Sequence, residues 1–376
     1  MRITGFLAAV LMLTGCMNTI EYDFGGDEPL LMVSGLLCDS DPVHTVYVSL
    51  SRDGIARPAE TAGVTCYVNG AVAGRGTATL SDLPKKEAGS GMVPGRYEPL
   101  AVSFGAAFGP GDEVYMEFEA EGGRYKASSA RLTVPGRPAI ASLDTMRVSF
   151  PYKQDPTLSL GFMQVLLTVR RGTDAPGGYC LFGRDAGQAS AFFTRGGAPD
   201  FVTAGENTLQ MWDEASAQYG HPSSSDGPAL FERADDGSFA IFGDGSFRDG
   251  AADLKLYLSE VYPANLWTLT DAMREGGYAG RIDEVPEIRL ERRVVFRLGR
   301  CSEETYQYLR VLRAVSSSDY IPEVMERYRI PSNIGGGTGF VDILSVVEAG
   351  FDFPDIVIVY PSSGGSGDGG ADPAGE

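Results

Sequence analysis

Histidine is nearly missing from this chain: His44 and His221 are the only two in 376 residues. A metal centre built on imidazole cannot be assembled from them, and a Ser-His-Asp triad would have to recruit one of the two. No G-x-S-x-G elbow accompanies either histidine, so hydrolysis by an activated serine has no local signature. Cysteine is scarce too. Beyond Cys16, the residues Cys38, Cys66, Cys180 and Cys301 stand apart with no CxxC or CxxH spacing, which argues against zinc held by thiolates. Cys38 and Cys66 fall within one expected β-domain, where a disulfide is one outcome and buried free thiols are the other.

Positive charge is short as well. Lys and Arg number 31 against 50 Asp and Glu, a formal charge of -19. Nucleic acid and anionic bilayers are therefore not expected partners, since both are held by clustered Lys and Arg. A long apolar run is also lacking at the N-terminus. Gly5 to Leu13 falls well short of the roughly 20 residues of a membrane-spanning helix, and Asn18, Glu21 and Asp23 follow soon after.

What is present at the N-terminus is a signal peptide over residues 1–15: Arg2, the short apolar run, then Thr14-Gly15-Cys16. The small residues before the cysteine resemble the bacterial lipobox, in which a diacylglyceryl group is attached to the thiol and signal peptidase II cuts in front of it. Cys16 is thus the expected lipid attachment site, with diacylglycerol and palmitate as its modification. Two or three acyl chains together make a stable anchor where one binds only reversibly. An ordinary secretory signal containing a chance cysteine is the alternative.

The mature chain reads as mostly β. Residues 16–28 form a lipidated tether, polar from Ile20 to Glu28. Residues 29–135 carry short strands: Val46, Val48 and Leu50 share one face, and Val64 to Val68 runs into Asn69-Gly70, the dipeptide suited to a tight hairpin turn. In Glu113 to Phe118, Val114, Met116 and Phe118 point inward while Tyr115 and two glutamates point out. This spacing predicts an immunoglobulin- or fibronectin-like β-sandwich. Pro135-Gly136-Arg137-Pro138 then punctuates the chain, and residues 138–360 form a second β-rich domain with a short helix and long loops. Its strands include Leu158 to Val169, Leu254 to Leu258 and Arg293 to Leu298. Residues 184–250, rich in Gly, Ser and Asp, read as loops or insertions that supply a binding contact. The helix begins at Ser302 as N-cap, with Glu303 and Glu304 in the first turn and Tyr308, Val311, Leu312 and Val315 in helical spacing. Residues 361–376 compose a Gly/Ser tail expected to be disordered.

Several constellations invite chemistry. Ile330 to Phe340 contains a glycine-rich turn, but it lacks the Lys-Ser/Thr of a P-loop and reads as backbone geometry. Asp235, Asp236, Asp244, Asp249 and Asp253 could ligate calcium, yet their spacing misses the EF-hand loop and solvated turns are the simpler reading. Trp212 and Trp267 offer stacking platforms or core residues. A glycosidase-like carboxylate pair cannot be placed from sequence. No catalytic residue, cofactor or metal is assigned.

Five segments in this order carry a family resemblance: the lipobox, LLMVSGLLCDSDPVHTVYVSLSR, GDEVYMEFEAEGGRYKASS, SEETYQYL and IPSNIGGGTGF. Together they resemble the Bacteroidota lipoproteins grouped as domain of unknown function 4249, over roughly residues 16 to 345. The resemblance implies an accessory beside TonB-dependent nutrient receptors at the outer membrane, on its periplasmic or cell-surface face. The expected function is accordingly a non-enzymatic accessory or ligand-binding lipoprotein. The alternatives are a structural surface protein, such as a fimbrial subunit or adhesin, and then a carboxylate-dependent hydrolase. A fimbrial subunit polymerising by strand donation needs a long alternating strand at one terminus, whereas here one end is Gly/Ser-rich and the other an acidic tether.

Overall fold

The computed structural model describes residues 29–359 apart from 53–54, 83–98, 153–154, 173–176, 195–196, 215–216, 218–231, 234–238, 261–263, 281–284, 317–330 and 355. The signal peptide, Cys16, the tether and the Gly/Ser tail lie outside the described residues. As expected, the protein is mostly β.

The first nine strands are β1 (Leu30–Cys38), β2 (Val43–Arg52), β3 (Ile55–Pro58), β4 (Thr61–Val68), β5 (Ala71–Thr79), β6 (Leu100–Gly105), β7 (Glu113–Ala120), β8 (Tyr125–Ser129) and β9 (Leu132–Thr133). The next seven are β10 (Ala139–Tyr152), β11 (Asp155–Arg170), β12 (Gly177–Phe192), β13 (Phe201–Thr208), β14 (Glu232–Arg233), β15 (Phe239–Gly243) and β16 (Ala251–Ser259). Helix α1 (Ala264–Glu275) follows, then β17 (Glu287–Ser302), helix α2 (Glu303–Ser316), β18 (Ile334–Gly335), β19 (Gly337–Asp352) and β20 (Ile356–Val359).

Two sandwiches result, and β19 belongs to both. Its first half, Gly337 to Leu344, pairs in parallel with β1, while Ser345 to Asp352 pairs antiparallel with β17. One eleven-stranded sheet therefore runs through both halves of the molecule. In the first half it faces a six-stranded sheet ordered β18-β8-β7-β4-β5, with β9 on β7. Leu31, Val33, Val46 and Val48 from one side meet Val64, Met116 and Phe118 from the other, joined by Val341 and Ile343. Each such aliphatic side chain taken out of water is worth about 1.5 to 3 kcal/mol. The sandwich expected over residues 29–135 thus draws its closing strands from residues 334–344. Parallel pairing with so distant a segment leaves no local pattern to read.

In the second half the three-stranded sheet β10-β11-β16 covers the other part of the large sheet. Val165, Leu167, Leu254 and Leu256 pack on Tyr179, Leu181, Phe242 and Phe296. The helices lie elsewhere: α2 sets Leu309 against Cys180 and Ile241, and α1 sets Leu269 and Met273 against Ala189, Ala191, Ile288 and Leu290. Helix α2 starts where the sequence places it, with the Ser302 hydroxyl accepting the Thr305 N–H at 3.1 Å. Helix α1 was not foreseen; among its residues whose burial is described, Leu269 and Met273 are buried in the core.

Among its described residues, the segment 184–250 holds strands as well as loops. It contains the end of β12 and all of β13 and β15, with residues 218–231 and 234–238 outside the described part. The end of β12, from Arg184 on, reads as loop because it is built from small residues, and the strand's earlier half shows how closely it is packed. A Cβ on Gly178 would stand 2.4 Å from the Tyr306 ring, and one on Gly183 would stand 2.7 Å from Leu209. The glycine-rich turn at 335–339 has the same character. Gly339 adopts φ +117 and lies so close to the Val33 carbonyl that no side chain fits.

Candidate functional site

The outer face of the six-stranded sheet holds an open trough of about 780 Å³. Alternation creates it. Because Ala62, Val64 and Cys66 point into the core, Gly63, Thr65 and Tyr67 point out; likewise Val114, Met116 and Phe118 are buried while Tyr115, Glu117 and Glu119 face solvent. The outward residues align in rows across the strands. One row is Thr77, Gly63, Glu119 and Lys126; the next is Arg75, Thr65, Glu117, Ser128 and Gly335. A third places Tyr67 directly opposite Tyr115, ring centroids 5.8 Å apart at 44°.

The turns that hold these strands were legible. Asn69 and Gly70 both take positive φ, 50 and 80, as a tight hairpin requires. The Asn69 side chain also accepts the Glu113 N–H and donates to Asp112, tying the β4–β5 turn to the start of β7. Gly63 leaves the floor bare, so the Glu119 side chain lies across it, 3.3 Å from where a Cβ would stand.

The trough's charges are matched, Glu117 and Glu119 against Arg75 and Lys126. The Tyr67 hydroxyl donates to Glu117 at 2.8 Å, and this hydrogen bond is the main cause of the raised Tyr67 pKa. At the tyrosine end, Arg131 pairs with Glu113 and sits 5.9 Å from the Tyr115 ring centroid. Outward-facing tyrosine on a half-buried strand was the available signal for this site. The sequence placed Tyr115 and its glutamates outside, but nothing local linked them to Arg75, Lys126 or Gly335.

The other candidates scatter. His44 is buried on β2, its Nε2 3.0 Å from the Ala106 carbonyl oxygen and its ring stacked on Phe108 at 4.6 Å. Burial lowers its pKa. His221, Asp235 and Asp236 lie outside the described residues. Asp244 pairs with Arg171 at 3.0 Å, Asp253 accepts from Thr168 at 2.6 Å, and Asp249 occupies a positive-φ turn, so these three serve separate local contacts. Trp212 is a core residue, packed on Phe162 at 5.3 Å; nothing is described of the Trp267 side chain. Cys38 and Cys66 do not pair: Cys66 lies in the first sandwich's core and Cys38 beside Cys301, Leu344 and Val346. Burial pushes the Cys38 thiol up to about 12 and the Cys66 thiol up to about 11.

A second depression of about 620 Å³ lies between Pro135-Gly136 and the first turn of α2. Its buried Arg300 donates to the Tyr179 hydroxyl at 2.8 Å. Among the described residues no helix is long and apolar enough to cross a membrane. A family model described as Domain of unknown function (DUF4249) matches residues 17–349. No curated protein matches the chain.

Proposed function

Because the chain belongs to that family, whose description assigns no activity, we propose that the protein is a lipid-anchored, non-enzymatic binding component of the outer membrane that serves a TonB-dependent nutrient receptor. The observation that carries the reading is the open trough, a binding surface of mixed polarity on a rigid sheet face. Its place relative to the anchor supports the reading. Leu31, where the tether enters the fold, pairs with Gly337, two residues beyond Gly335 on the trough's rim. The segment from Cys16 to Leu30 reaches about 50 Å at most. The trough therefore stays near the bilayer that holds the lipid. The commitment of His44 to Ala106 and Phe108 removes one candidate base from solvent.

Two measurements test this. Labelled palmitate should enter the wild-type chain and not Cys16→Ser. An affinity-tagged lipidated chain should recover one TonB-dependent receptor from detergent-solubilised outer membranes. Recovery of a self-polymer would favour a fimbrial subunit instead, and hydrolysis of envelope glycans or peptides with no receptor recovered would favour an enzyme.

A further inference from the structure

The trough's chemistry points to a class of ligand. We propose that it binds a neutral glycan chain laid across the strands, an inference that rests on reading the trough as a binding surface.

Along the middle of the trough the backbone is already spent. β4 is paired on both sides, with β5 and β7, and β7 is paired with β4 and β8. An extended peptide gains its affinity by completing a ladder at a free sheet edge, and this site is a face. Recognition must come from side chains. They are hydroxyls, carboxylates and cations around two rings: Thr65, Thr77 and Ser128 beside Glu117, Glu119, Arg75 and Lys126, with Tyr67 and Tyr115 at one end. Sugar hydroxyls donate and accept at once, so they suit a surface that offers acceptors and donors in adjacent rows. The C–H face of a pyranose ring suits the flank of a tyrosine.

Charge decides against ionic ligands. The two carboxylates and two cations of the lining balance, so it carries no net charge to select an anion or a cation. The Tyr67 hydroxyl fixes one oxygen of Glu117 before any ligand arrives. The other oxygen is left to accept, which lowers the ordering cost of binding.

Length decides between one ring and several. The trough crosses five neighbouring strands, from β5 through β4, β7 and β8 to β18. At about 4.8 Å per strand it spans about 19 Å, an oligosaccharide's length. Gly335 and Gly336 carry no side chain over its β18 end, and at Gly63 the Glu119 side chain lies along the floor.

The test uses the mature full-length chain with Cys16→Ser, titrated calorimetrically with neutral hexasaccharides: maltohexaose, laminarihexaose, cellohexaose and mannohexaose. Oligogalacturonate, heparin and a tryptic casein digest serve as comparators. At least one neutral hexasaccharide should bind saturably, with little change on raising salt. Tyr115→Ala and, separately, Gly63→Arg should each weaken it about tenfold or more. Tyr47→Ala, at an exposed tyrosine on the opposite sheet, should leave it unchanged. Unaltered circular dichroism and melting will show that each variant folds. Binding to none of the neutral sugars, preference for a charged comparator, or binding that survives both trough variants overturns the proposal. Receptor recovery without glycan binding overturns this inference alone; glycan binding without receptor recovery overturns only the accessory role.

Discussion

The Asp39 carboxylate accepts the backbone N–H of Val346 at 2.8 Å, across 307 residues of sequence. Its other oxygen takes the Ser345 hydroxyl at 2.9 Å and Arg137 at 3.1 Å. One buried side chain on the β1–β2 turn thus holds β19 at the point where that strand passes from one sandwich to the other. Asp41 in the same turn pairs with Arg297 of β17. Replacing Asp39 with Ala strands a buried N–H and should cost about 1 to 3 kcal/mol. Urea unfolding followed by tryptophan fluorescence should show the drop, with the transition broadened as the sandwiches uncouple.

Residues 29–135 expressed alone should not form a stable domain. The fragment lacks β18 and β19, so Leu31, Val33 and Leu37 lose Val341 and Ile343 as core neighbours and β1 becomes an open edge. Adding residues 331–352 as a separate peptide should restore β-sheet circular dichroism. A cooperative melt of the fragment by itself would contradict the shared-strand architecture.

Asp185→Ala should destabilise the second sandwich by about 3 to 5 kcal/mol. Arg292 donates from Nη2 to Asp185 at 2.6 Å and from Nη1 to the Ser259 carbonyl at 3.0 Å, with its guanidinium 4.2 Å from the Phe353 ring centroid. Removing the carboxylate alone leaves that cation buried. The double variant Asp185→Ala, Arg292→Met should recover part of the loss, as thermal melts of the set will show.

Acid should weaken the first sandwich through His44. Its folded pKa lies below the ordinary value of 6.5 because burial opposes the charge, more than the Ala106 hydrogen bond and Asp41 favour it. The unfolded chain therefore takes up a proton that the folded chain resists. This contribution to stability is complete above pH 6.5 and is lost as pH falls through that value toward the folded pKa. His44→Gln should flatten this part of the stability profile relative to wild type, measured by urea midpoints between pH 7.5 and 5.

The buried thiols should be inert in the native state. Desolvation pushes Cys180 as well as Cys38 up to about 12 and raises Cys301 well above its ordinary value. In a Cys16→Ser chain at pH 8, a thiol-titrating reagent should register almost nothing until denaturant is added, and then Cys38, Cys66, Cys180 and Cys301 together.

Local signals read true where a structure is made by neighbours in sequence. Asn69-Gly70 gave its turn, the alternation of Val114, Met116 and Phe118 its inward face, and Ser302 its helix cap. They were silent where distant segments meet. The end of β12 is rich in Gly, Ala and Ser, a composition that elsewhere makes a loop, and its pairing with β13 and β17 is what makes it a strand. The trough gathers residues from Gly63 to Gly336, so its rows exist only once the register of the strands is set.

The shared strand also imposes an order in time. A chain that emerges from its N-terminus presents β1 about 300 residues before the segment that completes it, an interval of nearly the whole fold. During that interval the apolar edge at Leu31, Val33 and Leu37 has no native neighbour on one side. The first sandwich is therefore first to emerge yet cannot close until the shared strand exists, so both sandwiches are completed by the same late stretch of chain.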